Sequence, residues 1–309
     1  MASVVFEALS KQFGPVRAVD RLSFEAQGGR VTGFLGPNGA GKTTALRSLL
    51  GLVRPTAGRA LVGGRLYAQI DQPWRTVGAV LDAASANPGR TGRDHLRVIA
   101  TAARVPASRV DETLDRVGLS DAAGRRVGGY STGMRQRLSL AAALLGDPEV
   151  LVLDEPANGL DPEGIAWLRN LLRGFARDGR TVLVSSHVLS EVSQTVDEVV
   201  ILSHGTLRFA GSLDALGDGS VTIRSASVER LAALLVERGC EVRTLSRDML
   251  EARGCTAEEV GRLAAERQIA LSGLSDAAAS LEAEFLRLTG AEASSPRPAG
   301  AASRRITMG

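Results

Sequence analysis

With 309 residues, 44% hydrophobic and 23% charged side chains and a formal net charge of +3, the chain is ordinary globular protein, long enough for one large domain and a smaller one. Its pI of 9.3 comes without basic runs and argues against nucleic acid as a partner. Cys240 and Cys255 supply neither a disulfide framework nor a metal-ligand spacing, and no stretch approaches about 18 uninterrupted apolar residues, so the expectation is a reduced, cytosolic chain that does not span a membrane by itself.

In chain order, VVFEALSKQF and LSFEAQGGRV read as antiparallel strands, and VTGFL (31–35) as a strand covered on both faces. Phe13, in the hairpin KQFGPVRAV, either stacks on a planar ring or fills the hairpin core. GPNGAGKTT (36–44) follows VTGFL, matches G-x-x-x-x-G-K-[ST], and opens the helical pattern TTALRSLLGL. In such a loop Gly36, Gly39 and Gly41 let backbone N–H groups face phosphates, with Pro37, Asn38, Ala40 and Thr44 completing the cradle. Lys42 would bridge the β- and γ-phosphates and the Thr43 hydroxyl would help hold Mg²⁺. Lys11 and Lys42 are the only lysines among 37 basic residues, which makes Lys42 informative. A compact ammonium fits among phosphate oxygens where the planar fork of Arg fits poorly.

GRALVGGRL returns to strand pattern, and from about 83 to 146 the chain turns mostly helical, as an inserted helical subdomain. That region contains YSTGMRQRLSL (130–140), a second helix start suited to an anion: Ser131 is a good N-cap type and Gly133 permits close backbone approach. VLVLDEP (150–156) is an apolar strand ending in acid, which places Asp154 for the Mg²⁺ shell and Glu155 to orient or deprotonate an attacking water. TVLVSSH (181–187) brings His187 to the same sheet edge. There it is either a structural hydrogen-bonder or a γ-phosphate contact, and the shared edge favours the contact. Beyond about 215, alternating segments read as strand, helix, strand, strand, helix, strand, helix, a small ferredoxin-like α+β domain with a closing helix. Residues 291–309 lack periodicity and read as a disordered tail.

Over about residues 3 to 215 these segments together resemble the nucleotide-binding subunit of an ABC transporter. The Walker A loop is GPNGAGKTT, the Walker B strand VLVLDEP, the D-loop NGLDP (158–162), the switch SSH, and YSTGMRQRL stands at the signature position. The resemblance implies an α/β fold with a P-loop NTPase core, an antiparallel β subdomain and the helical insertion, spanning residues 1–215 ahead of an accessory domain at 216–290. It implies a Mg²⁺-dependent ATPase in which Ser131 and Gly133 cap the ATP of a second subunit, a homodimer by preference, with Asp161 coupling the two. It also implies a separately encoded permease that holds the chain at the cytoplasmic face of the membrane, and no nucleic-acid partner. Thr132 replaces the commoner first Gly of the signature, and a Gly-Met pair follows, a pattern of drug- and antibiotic-export members. Asp82 stands where that family usually carries Gln, leaving open a metal contact or a purely coupling or structural role. The alternatives are an importer ATPase whose C-terminal domain senses a ligand, and a soluble ABC ATPase acting on ribosomes or DNA.

Overall fold

The computed structural model describes residues 2–81, 86–188, 193–216, 220–276 and 278–290. Asp82 and the segment 291–309 lie outside the described residues. Strands β1 (Val4–Phe13), β2 (Val16–Ala26) and β4 (Ala57–Val62) form an antiparallel sheet in the order β2-β1-β4. Strand β3 (Val31–Leu35) leaves this sheet and enters a second, six-stranded one. The two sheets meet over a shared apolar layer, where Phe6 stacks on Phe24 with ring centroids 4.6 Å apart and Phe24 lies tilted against Phe34 at 5.4 Å. Phe6 and Phe34 are fully buried, each contributing about 1.5–3 kcal/mol of transfer free energy.

The six-stranded sheet adds β5 (Val77–Val80), β6 (Val150–Asp154), β7 (Thr181–Ser186), β8 (Glu198–Ser203) and β9 (Thr206–Ser212). Its order is β5-β6-β7-β3-β8-β9, parallel except for the antiparallel edge strand β9. Strands β3 and β7 are buried at every residue, which is why their sequences lack alternation. Register then fixes the working edge: Leu35 pairs with Ser186 and Asp154 with Ser185, so three strands deliver their following loops side by side at their carboxyl ends.

Helix α1 (Lys42–Leu49) packs beneath the antiparallel sheet, and the single turn α2 (Pro73–Thr76) leads into β5. The helical insertion comprises α3 (Gly92–Ala102), α4 (Ser108–Arg116) and α5 (Thr132–Leu144). Thr91 caps α3 by accepting from the Asp94 amide at 3.1 Å. Helix α6 (Pro162–Arg177) covers the outer face of the large sheet through Leu168, Leu172 and Phe175. The Arg137 guanidinium of α5, 4.5 Å over the Trp167 ring, ties the insertion to α6.

After a short α7 (Leu213–Leu216) comes a four-stranded antiparallel sheet of β10 (Val221–Arg224), β11 (Glu241–Ser246), β12 (Met249–Arg253) and β13 (Gly273–Asp276), with α8 (Val228–Glu237) and α9 (Ala257–Glu266) between them. The order β11-β12-β10-β13 is that of a ferredoxin-like βαββαβ unit, with its own core of Ile223, Leu231, Leu250 and Leu263. Helix α10 (Ala278–Thr289) does more than close this unit. Phe285 is 8% exposed within the apolar cluster of the large sheet, and Ser203 donates to the Thr289 carbonyl at 3.1 Å, so α10 fastens the C-terminal segment back onto β8. Local periodicity reads α10 as an end cap; its second face is set by packing that periodicity does not encode.

Candidate active site

The turn from β3 into α1 is narrow. A Cβ on Gly36 would lie 2.3 Å from the Leu202 carbonyl oxygen, and one on Gly41 would lie 2.3 Å from that of Ala18. Both residues have positive φ, 153° and 103°. Only glycine closes this loop against β8 and β2, so two of its glycines serve packing before they serve any ligand. Asn38 and Gly39 stand exposed at its crest, whereas Ala40 is buried. Thr44 accepts at its carbonyl from Ser48 Oγ at 2.8 Å inside α1.

Lys42 is 6% exposed. Its Nζ donates to the Gly36 carbonyl at 2.6 Å and the Pro37 carbonyl at 3.3 Å, and lies 3.5 Å from Glu155 Oε1. Burial lowers its pKa from the ordinary lysine value, and the charges of Glu155 and Asp154 work against that loss. Asp154, at the end of β6, accepts from Thr43 Oγ1 at 2.7 Å and, through its other oxygen, from Ser185 Oγ. The pairing of Asp154 with Ser185 across β6 and β7 sets the two side chains next to each other.

Glu155 sits at φ 49°, a left-handed conformation unusual for a residue with a side chain. Its amide donates to Ser185 Oγ at 3.0 Å, and its carbonyl accepts from Asn158 at 3.2 Å in the next turn. This geometry turns the carboxylate sideways between two partners, Lys42 and, at 2.8 Å from Oε2, His187 Nδ1. The expected residues Lys42, Thr43, Asp154, Glu155 and His187 thus form one connected cluster. Ser185 is the member that motif reading passes over; the doubled serine of SSH is its signal, and only strand register shows which serine faces Asp154.

Two hard oxygen donors meet where Thr43 Oγ1 and Asp154 approach. Among the described residues no group of three or more His, Cys, Asp or Glu could enclose a metal. Mg²⁺ typically takes one or two protein oxygens and completes its octahedron with water and substrate phosphates, so this donor pair fits it.

Phe13 is 48% exposed, with Lys11 Nζ 4.7 Å above its ring, so it does not fill the hairpin core. The return strand β2 of that hairpin is the one whose Ala18 abuts Gly41. Ser131 and Gly133 stand apart from this cluster, at the start of α5. Ser131 Oγ accepts from the Met134 amide at 3.2 Å, so the residue expected to meet a phosphate caps its own helix here. Asp161 caps α6 in the same way, accepting from Gly164 at 2.8 Å. The D-loop leans on the signature turn: a Cβ on Gly133 would lie 3.6 Å from Leu160 Cδ2, and one on Gly159 would lie 2.6 Å from Thr132 Cγ2.

The chain is similar to known proteins over most of its length. The ABC transporter family model matches residues 19–158, and a model for a domain of unknown function (DUF8746) matches residues 219–282. A bacitracin transport ATP-binding protein of Bacillus licheniformis is 41% identical over 202 residues, 64% of this chain and 66% of that protein, so the match leaves about a third of that relative's length uncovered. A Nod factor export ATP-binding protein of Burkholderia lata is 36% identical over 226 residues, 72% of this chain and 74% of its own length. The solved ATP-binding subunit of an ABC transporter shares the fold at a TM-score of 0.64 and 22% identity, over 84% of this chain and 98% of that one. The chain belongs to the ATP-binding subunits of ABC transporters.

Proposed function

We propose that the chain hydrolyses ATP as one of two identical subunits and thereby powers a separate membrane permease that exports an antibiotic-, drug- or lipid-like compound. The observation that carries the hydrolysis is Glu155, turned by its left-handed backbone so that one carboxylate meets both Lys42 and His187. In the reaction Lys42 and the loop 36–44 hold the phosphates, Glu155 orients and deprotonates water, and His187 meets the γ-phosphate. When bound through Thr43 and Asp154, Mg²⁺ supplies charge neutralisation on the phosphate oxygens. Asp82 falls outside the described residues, and its part in metal binding or coupling stays a proposal on sequence grounds.

Pairing is supported by the placement of Ser131 and Gly133. They lie at a helix start outside the Lys42 cluster, where a second subunit's nucleotide can reach them. Ser131 would then exchange or share its internal cap for a phosphate oxygen, and Asp161, beside the same turn, would couple the two sites.

Among the described residues no helix is long and apolar enough to cross a membrane; on this reading the permease is the part that does. A groove of about 590 Å³ between the core and the helical insertion, bordered by Leu50, Leu52, Tyr67, Leu81, His95 and Ile99, offers that partner an apolar seat. Leu52 is 67% exposed there. Export is supported by the Thr132-Gly133-Met134 signature and by the relatives named for bacitracin transport and Nod factor export.

Glu155→Gln is the direct test. It should keep ATP affinity, lower steady-state hydrolysis by at least roughly 100-fold, and accumulate an ATP-dependent dimer by size exclusion. A variant hydrolysing at the parent rate would remove Glu155 from the role of base.

A further inference from the structure

The two cysteines, fifteen positions apart in sequence, meet in the fold. Cys240 directly precedes β11 and Cys255 follows β12; because Glu241 pairs with Arg253 across these strands, the two residues leave the sheet at the same end. Each follows a glycine with positive φ, Gly239 at 84° and Gly254 at 80°, and these turns bring the side chains inward. The Cys255 thiol lies beside Cys240; burial, and then that proximity, disfavour its ionisation. Both line a cavity of about 160 Å³ floored by Leu235, Val260 and Leu263, each at most 2% exposed. Cys240 itself is 8% exposed. Spacing alone excludes this pair as a metal site; the strand pairing reverses that reading by supplying the proximity that sequence separation hides.

We infer that Cys240 and Cys255 form a two-thiol binding site for a single soft monovalent cation of the copper(I) class. Ligand chemistry and coordination number point the same way. Thiolates select soft ions, and the surrounding donors offer little else. The carboxylate at the rim, Glu259, already accepts from the Thr256 amide at 2.9 Å, and Arg238 is paired with Glu266 at 3.3 Å. Among the described residues no third His, Cys, Asp or Glu completes a ligand group. Zinc, which takes four ligands in structural sites, is therefore poorly served, whereas a d¹⁰ monovalent ion is satisfied by two sulfurs. Binding exchanges two S–H bonds for two metal–sulfur bonds and releases two protons to solvent, with no change of oxidation state. Both sulfurs bind as thiolates, so the ion competes with protons and its apparent affinity rises with pH. This site is independent of nucleotide chemistry.

The test is titration of the full-length chain with silver(I) in chloride-free buffer, and with copper(I) against a competing chelator under anaerobic reduction. The expected result is one ion per chain, release of two protons, and a thiolate-to-metal ultraviolet band. Cys240→Ser and Cys255→Ser should each weaken binding by more than the roughly 10- to 100-fold typical of outer-shell changes. Cys255 is only partly buried, so Cys255→Ser should melt within a few degrees of the parent, which separates lost ligation from lost folding. As a second measurement, bound silver should protect both thiols from alkylation together, read by mass spectrometry of the intact chain. Binding of equal strength in either single variant, release of one proton, or isolation of the chain with a Cys240–Cys255 disulfide would overturn the site.

Discussion

The methyl group of Thr132 occupies the space that a side chain on Gly159 would need: a Cβ there would stand 2.6 Å from Thr132 Cγ2, at a backbone φ of 77°. Signature turn and D-loop are thus interlocked within one subunit, and the Thr at position 132 is matched by the Gly at position 159. Gly159→Ala should cost about 1–3 kcal/mol from backbone conformation, plus the clash, and should lower hydrolysis. Adding Thr132→Gly should restore the clash component only. Hydrolysis rates and melting curves of the two single variants and the double variant check this, with additivity as the outcome that dissolves the interlock.

His187 reaches Glu155 through Nδ1 at 2.8 Å, which leaves Nε2 for substrate. His187→Ala should lower turnover by roughly 10²–10⁴-fold while leaving ATP affinity within a few-fold. Single-turnover assays with separate measurement of nucleotide binding distinguish the two effects, and a parallel loss of affinity would recast His187 as a binding residue.

Lys42 is held in a closed pocket by two loop carbonyls and Glu155. Lys42→Arg preserves charge but not shape, because a planar fork cannot enter a site that leaves the ammonium 6% exposed. We expect ATP affinity to fall nearly as far as in Lys42→Ala, with both variants folded by circular dichroism. Parent-like affinity in Lys42→Arg would show that the pocket opens readily.

Phe6, 1% exposed, packs where the two sheets meet, its ring centroid 4.6 Å from Phe24 and 6.4 Å from Phe34. Phe6→Ala should destabilise the chain by about 3–5 kcal/mol in denaturant unfolding. A loss under 1 kcal/mol would mean that the sheet interface collapses around the cavity.

The Cys255 thiol, raised to about 12, stays protonated at neutral pH. Its thiolate fraction, and with it the rate of alkylation by iodoacetamide, should climb about tenfold per pH unit from 7 to 10 without a plateau. The sign follows from the raised value: deprotonation begins only at high pH. Saturation near pH 9 would place the thiol at its ordinary value.

Much of the site was legible in the sequence because its chemistry is local. GPNGAGKTT needs no partner to announce a phosphate-facing turn, since the glycines, the lysine and the helix start are contiguous. VLVLDEP and TVLVSSH announce themselves as buried strands because both faces are covered, and the acid and the histidine fall at strand ends by position alone. The ferredoxin-like segment was likewise readable from the alternation of its periods. What required the tertiary structure was pairing. Ser185 rather than Ser186 meets Asp154 because β6 and β7 lie in one particular register, and a shift of one residue would reverse the choice. The interlock of Thr132 with Gly159, the return of α10 to β8 and the meeting of Cys240 with Cys255 all join residues whose separation in sequence carries no trace of contact. Local sequence determined which groups this protein carries and on which elements. Long-range packing decided which of them touch, because side-chain contacts across strands and helices are set by register and burial rather than by the residues that flank them.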